Sequence, residues 1–279
     1  MGVKSLRSDV FEIISVGNEL LIGKILNTNA HWLAKVITEL GGFVKRCTVV
    51  RDDVDDISSA IEESMERGTN WLIISGGLGP TYDDKTLQGV AKALNRELVV
   101  DTYALKMVEK KYESMAHHGM IKKVDLTPAR LKMAKLPKGS KALPNPIGTA
   151  PGVMIDEGDR KIICLPGVPT EMEGIFKESI VPMIKNVIKN FYHEESIHIT
   201  GIVESDLAPL IDKALANNPF VYIKSHPKGH EEGISKIEIQ VTALSEEPSI
   251  VKKRVKDALK QLKSIIIERG GIIEEESMK

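Results

Sequence analysis

The chain has 279 residues, enough for two domains, with 42% apolar and 28% charged residues, the mixture of an ordinary globular protein. Its net charge is −1 with neither half acidic or basic, which argues against tracking of long nucleic acid, where phosphate contacts call for a basic face. No apolar run reaches the roughly 20 residues of a membrane helix and the opening residues lack a signal-peptide pattern, so a cytoplasmic location without a membrane partner is expected.

Phe11–Gly17 reads as a buried strand ending in glycine. Asn27–Leu40 carries apolar residues at helical spacing and stops at Gly41-Gly42. Phe43–Val50 is a second strand, and its Cys47, like Cys164, sits in an apolar run without a CxxC partner. Both thiols are therefore expected to be buried and reduced. Asp55–Arg67 is a helix, Trp71–Ser75 a strand, Gly76–Thr81 a tight loop and Asp83–Leu94 a helix. Tyr103–His118 is helical, and prolines stiffen Leu143–Gly152. Gly152–Asp156 and Lys161–Leu165 are strands, and Pro169–Asn190 is one long helix. This alternation predicts an α/β fold with three layers around a mainly parallel sheet, whose ligands bind at the carboxyl ends of the strands.

The pattern changes near Asn190, placing one domain at 1–190 and another at 191–279. The latter reads as strand Ser196–Val203, helix Glu204–Ala216, strands Phe220–Ser225 and Ser235–Ala243 around a polar loop, helix Pro248–Leu262 and a last strand, Ser264–Glu268. That order is the split βαβ of a small α+β domain.

Four loops carry candidate chemistry. Ser75-Gly-Gly-Leu-Gly-Pro-Thr-Tyr-Asp-Asp-Lys-Thr86 runs from a strand through three glycines into a helix. Glycines permit positive φ and close ligand approach, and amides at a helix start attract anions. The loop is neither GxxxxGK[ST] nor GxGxxG. Carboxylates beside a phosphate grip repel it, unless one holds a divalent cation or accepts hydrogen bonds from a ligand ring. The other loops are Gly17-Asn-Glu-Leu-Leu-Ile-Gly-Lys-Ile-Leu-Asn-Thr-Asn29, Asn145-Pro-Ile-Gly-Thr-Ala-Pro-Gly152 and Leu165-Pro-Gly-Val-Pro-Thr-Glu-Met172. In the second of the four, Asn27 or Thr28 can cap a helix; in the last, Glu171 either complements a helix dipole or ligates a metal. His117-His118 and the pair His226 and His230 lack a third ligand and read as surface residues.

Together GNELLxGxxxNTN, SGGLGPTxDDxT, NxxGTAPG and LPGVPxEM resemble the N-terminal domain of the CinA family, within the wider molybdopterin-binding fold of the MogA, MoaB and MoeA proteins. The match spans about Phe11 to Ile184, and the region after Asn190 resembles the small domain that follows in CinA proteins. The chain ends before the amidohydrolase domain of full-length CinA could fit, so nicotinamide mononucleotide deamidation is not expected. Gly76-Gly77-Leu78-Gly79 stands where molybdopterin proteins usually have GGTG, which leans toward the CinA branch. That resemblance implies a pyrophosphatase acting on ADP-ribose, FAD or a related dinucleotide and releasing AMP, with a divalent ion (Mg, Mn, Co or Ni).

The implied catalytic residues are Asp84, Asp83 and Lys85, the metal ligands Asp84, Glu19 and Glu171. The expected ligand contacts are Asn18, Glu19 and Asn29; Gly76, Gly77, Gly79, Thr81 and Thr86; Asn145, Gly148, Thr149, Pro151 and Gly152; and Gly167. Relatives in the wider fold imply a homo-oligomer. The alternatives are molybdopterin binding or adenylylation on the same loops, and a non-catalytic nucleotide-binding module. A KH-type RNA module is disfavoured, because Ser225-His-Pro-Lys-Gly-His230 lacks the GXXG clamp.

Overall fold

The structure is a computed structural model that describes residues 9–231 and 234–274. These fall into two compact units, one with residues up to Thr38 and Gly42–Ile188, the other with Glu39–Gly41 and residues from Lys189 onward.

The strands of the first unit are β1 (Val10–Val16), β2 (Phe43–Val50), β3 (Trp71–Ser75), β4 (Leu98–Val100), β5 (Lys135–Pro137), β6 (Lys141–Leu143), β7 (Gly152–Glu157) and β8 (Arg160–Leu165). Its helices are α1 (Asn18–Leu21), α2 (Thr28–Glu39), α3 (Val54–Glu66), α4 (Thr86–Ala93), α5 (Thr102–His117), α6 (Pro128–Lys132), α7 (Pro169–Ile175) and α8 (Val181–Val187). The main sheet runs β2-β1-β3-β8-β7-β6. Its first four strands are parallel, β7 is antiparallel to β8, and β6 is antiparallel to β7. β4 and β5 form a separate antiparallel ribbon.

All of β3 is buried and most of β1 and β8, as expected of strands covered on both faces. Ile14, Val16, Leu72 and Ile74 join one core with Ile57 and Ile61 of α3, Val90 of α4 and Val108 of α5. The alternate residues Phe11 and Ile13 are buried too, as are Leu33 and Ile37 of α2 and Met172 and Ile175 of α7. Gly41 stops α2 with a left-handed φ of 85°, where a side chain would clash with its own backbone.

In the second unit β9 (Phe191–Thr200), α9 (Glu204–Asn217), β10 (Val221–Glu231), β11 (Ile234–Ser245), α10 (Pro248–Glu268) and β12 (Ile272–Glu274) follow one another. The sheet order is β10-β11-β9-β12, with every neighbouring pair antiparallel. Ile197, Ile239 and Val241 pack with Leu207 of α9 and Leu262 of α10.

Four local expectations change. The segment Ser264–Glu268 is the last turn of α10, because Leu262, Ile265 and Ile266 extend the buried stripe of Val255, Ala258 and Leu259. The polar loop expected after Ser225 is largely strand, drawn into the ladder with β11. The helix expected from Pro169 is interrupted by a π turn at Phe176–Ile180. Pro182 lies in the first turn of α8 and has no amide for the carbonyl one turn back, so the ladder shifts there. Cys47 is exposed and only Cys164 is buried, because β2 is the edge strand. Burial pushes the Cys164 thiol up to about 12.

One carboxylate lies inside the first unit. Glu12 on β1 is 1% exposed, and Arg67 grips it through Nε (2.9 Å) and Nη2 (2.7 Å). Burial alone raises this carboxyl, but hydrogen bonds from Arg67, Thr69 and Ser64 and the guanidinium charge bring it below its ordinary 4.5. The stabilisation is therefore complete above pH 4.5 and drains as acid protonates the native carboxylate. Replacing Arg67 with Leu strands a buried charge, at a cost of about 3–5 kcal/mol at neutral pH. In that variant burial dominates and the carboxyl titrates high, so stability is expected to rise as pH falls from 7 to 5. Urea melts of both proteins at several pH values read this directly; a wild-type-like pH slope in the variant refutes the assignment.

Candidate active site

β1 lies between β2 and β3, and the chain crosses from one side of it to the other after leaving β2. That reversal is where doubly wound sheets open a crevice at their carboxyl ends. The loops after β1, β2, β3 and β8 emerge on this edge. The 144–151 loop joins them, because β7 is antiparallel and its first residue, Gly152, lies near the end of β8.

The glycine loop is fixed by its own helix. Gly76 and Gly77 have φ of 107° and 65°, a turn that side chains resist. Thr86, fully buried, donates its hydroxyl to the Gly76 carbonyl (2.8 Å) and its amide to that of Gly77 (3.2 Å). Gly76 donates its amide to the Leu165 carbonyl (3.0 Å). α4 begins at Thr86, three residues later than the expected Asp83, because Asp83 and Asp84 close a turn on Thr81. The Thr81 hydroxyl lies 2.5 Å from a carboxylate oxygen of each and has a single proton to give. Asp84 also accepts the Thr81 amide (2.8 Å). Asp83 is held below the ordinary carboxylate range by the Thr81 hydroxyl first, then by its own amide and the charges of Lys132 and Lys85.

The 144–151 loop is folded around Asn145. Its carbonyl oxygen accepts from the amides of Ile147 (3.0 Å) and Gly148 (2.7 Å), and its amide donates to the Ala150 carbonyl (2.8 Å) and the Glu171 carboxylate (2.7 Å). A side chain at Gly148 would collide with that carboxylate. Asn29 donates to the Ser75 hydroxyl (2.9 Å) and the Gly167 carbonyl (2.8 Å). Asn27 caps α2, accepting the Ala30 amide.

These loops enclose a cleft of about 460 Å³. Of the predicted residues it gathers Glu19, Gly76, Gly77, Gly79, Asp83, Asp84, Thr149, Gly167 and Glu171. Gly148 and Pro151 line a neighbouring cleft. Thr86, Asn29 and Asn145 hold loops in place. Gly152 packs against Ile175, the Asn18 amide donates to Asp52 (2.7 Å), and Lys85 stands at the start of α4. Sequence reasoning missed Asp52, Tyr112 and Met133. The Asp52-Asp53 pair after a strand was a usable signal for Asp52; Tyr112 and Met133 come from distant segments. Lys132, also missed, bonds the Thr81 carbonyl, and Arg130 lies 3.8 Å over the Tyr112 ring.

Among the described residues, five carboxylates, Glu19, Asp52, Asp83, Asp84 and Glu171, line the cleft, and no lysine or arginine does. Among the described residues no three His, Cys, Asp or Glu side chains come together as a metal set. Glu19 lies against Gly17 and Glu171 against Gly148 and Asn145. Asp83 and Asp84, short of one donor proton between them, suit an ion such as Mg²⁺, which takes one or two carboxylates and completes its shell with water and substrate phosphate. Asn145→Ala removes four hydrogen bonds from one loop, and a loss of about 2–3 kcal/mol is expected. Faster proteolysis within 144–151 checks this, and a cleavage rate equal to wild type contradicts it.

A family model described as "Probable molybdopterin binding domain" matches residues 12–186. A Caldivirga maquilingensis protein is 44% identical over 253 residues, covering 90% of this chain and 95% of its own length. One from Pyrobaculum arsenaticum is 45% identical over 260 residues, covering 93% and 95%. Among solved structures, the protein CinA of Thermoplasma acidophilum, itself of unknown function, is 42% identical with a TM-score of 0.57, over 65% of this chain and 99% of that one. No helix among the described residues is long and apolar enough to cross a membrane. With the glycine loop and its companion loops at the switch point of the sheet, the chain belongs to the probable molybdopterin-binding domain family, as a CinA-like member.

Proposed function

We propose that the first unit binds a phosphorylated pterin of the molybdopterin class, with the ring in the acidic cleft. The observation that carries this reading is the lining: five carboxylates beside bare glycine backbone, with no lysine or arginine among the described residues that line it. The pyrimidinone edge of a pterin presents an amino group and a ring N–H side by side. A carboxylate accepts such a pair of donors through both oxygens. The same carboxylates repel a free phosphate, so they select for the ring. Leu78, Met133 and Ala150 supply apolar surface for its faces. Membership of the family supports the same ligand class.

A second reading rests on Asp83 and Asp84 beside the glycine loop. An adjoining recess of about 240 Å³ is lined by Gly77, Gly79, Asp84, Gln88, Lys132 and Lys135. A divalent ion on the two aspartates would neutralise a diphosphate held there and lower the pKa of a bound water. Water adds to phosphorus and the bridging oxygen leaves, so ADP-ribose gives AMP and ribose 5-phosphate. Asp84 is the residue expected to hold the ion, and the charge of Lys85 lowers neighbouring Asp83.

The test is equilibrium binding of molybdopterin and of a simple 6-substituted pterin, followed by pterin fluorescence. Micromolar binding is expected. Asp52→Asn keeps an acceptor for the Asn18 amide but loses the charge, and is expected to weaken binding by roughly tenfold. In parallel, AMP release from ADP-ribose and FAD is followed by chromatography with Mg²⁺, Mn²⁺, Co²⁺ or Ni²⁺. No pterin binding, together with AMP release that EDTA abolishes, overturns the first reading in favour of the second. Pterin binding without AMP release removes the second.

A further inference from the structure

Beside the acidic cleft lies another of about 510 Å³, between α5 and the 144–151 loop. Its charge is of the opposite kind. Lys106, Lys110 and Lys111 line it, and among the described residues no carboxylate does. On the helix Lys106 and Lys110 lie one turn apart on one side, with Lys111 the next residue, while Glu109 and Glu113 of the same helix line a different pocket. Lys111 is engaged with the Ile147 carbonyl, which fastens the loop to α5. Lys106 and Lys110 are exposed and make no ion pair or hydrogen bond among the described residues. The two clefts share Thr149 in their walls.

We infer that the lysine cleft is an anion subsite that takes the terminal phosphate of the ligand whose ring occupies the acidic cleft. This rests on the binding reading above and adds the placement of the phosphate. Two amines without partners among the described residues attract a phosphomonoester directly, and among those residues no carboxylate lines the cleft beside them. The glycine recess is a poorer place for a metal-free phosphate. It includes Asp84, and its Lys132 is engaged with the Thr81 carbonyl. The two places thus differ in chemistry: the recess needs a cation to hold phosphate, and the lysine cleft needs none. Tyr103 and Met107 add apolar surface beside the lysines, suited to the carbon chain that carries the phosphate. The substrate class is accordingly a ring linked to a distal phosphate by a spacer long enough to pass Thr149.

The experiment uses the full chain and two probes. Inorganic pyrophosphate is titrated by calorimetry at low salt in EDTA, into wild type, a Lys106→Gln/Lys110→Gln double variant and Lys135→Gln. Each lysine charge is expected to contribute roughly threefold to fivefold in affinity, so the double variant should bind roughly ninefold to twenty-five-fold more weakly, while Lys135→Gln binds as wild type does. The pterin with and without its phosphate is then compared on the same proteins. The double variant should lose affinity for the phosphorylated form only. Since both lysines are exposed and unbonded, its thermal midpoint should match wild type. Equal pyrophosphate binding by wild type and the double variant overturns the subsite, as does loss of binding in Lys135→Gln alone. Either result leaves ring binding, measured separately with the unphosphorylated pterin, as it stands. Failure of ring binding with pyrophosphate retained at Lys106 and Lys110 overturns the pterin reading instead.

Discussion

One side-chain amide ties together the carboxyl ends of three parallel strands. Asn29, in the first turn of α2 after β1, donates at once to Ser75 at the end of β3 and to the Gly167 carbonyl after β8. Ser75 in turn contacts the Pro166 carbonyl. The glycine loop leaves from Ser75 and the helix carrying Glu171 starts two residues after Gly167, so both of these segments refer back to the Asn29 knot. Its own carbonyl oxygen is buried without a partner. Burying an acceptor in this way costs about 1–3 kcal/mol. Turning the amide over would set an oxygen against the Gly167 carbonyl and lose the donors that hold the strands, so the unsatisfied atom is the smaller loss.

The loops were legible in the sequence because their constraints are local. Glycine at positive φ, proline at a helix start and an Asn-capped helix each depend on a few neighbouring residues, and Gly76, Gly77, Pro169 and Asn27 signal them without knowledge of the fold. What remained hidden depends on partners far along the chain. Tyr112 and Lys132 reach the site from α5 and α6, which have no motif of their own. Asp52 was visible as part of an acidic pair after a strand, yet only the proximity of β1 gives it the Asn18 amide to hold. Cys47 looks buried from its apolar neighbours, and it is the sheet order that leaves β2 at the edge.

The two misjudged element ends have a common cause. Ile265, Ile266 and Ile267 are β-branched and favour strands in isolation, but two of them complete a buried helical stripe, and tertiary packing overrides propensity. Asp83 and Asp84 favour a helix start, but their side chains find the Thr81 hydroxyl and amide first. Local hydrogen bonding of this kind competes with the helix, and here it delays α4 by three residues. The same competition places both carboxylates beside the glycine loop, where a fully helical segment would have carried them around the axis.

The division of charge between the two clefts follows from the direction of the helices. In a parallel α/β unit each helix begins on the edge where the preceding strand ends. Carboxylates near a helix start are favoured by the dipole, by about 0.3–1 kcal/mol each. All five acidic residues of the cleft stand at such starts: Glu19 in the first turn of α1, Asp52 just before the Asp53 cap of α3, Asp83 and Asp84 just before α4, and Glu171 in the first turn of α7. The residues that complement four helix dipoles therefore also make the crevice acidic, and a ligand for it must bring donors or a cation. Lys106, Lys110 and Lys111 lie within α5, away from its ends, where the dipole makes no demand on charge. Their grouping in one cleft beside that helix, facing a loop held by Asn145 and Lys111, is what a phosphate requires and what helix stability alone does not.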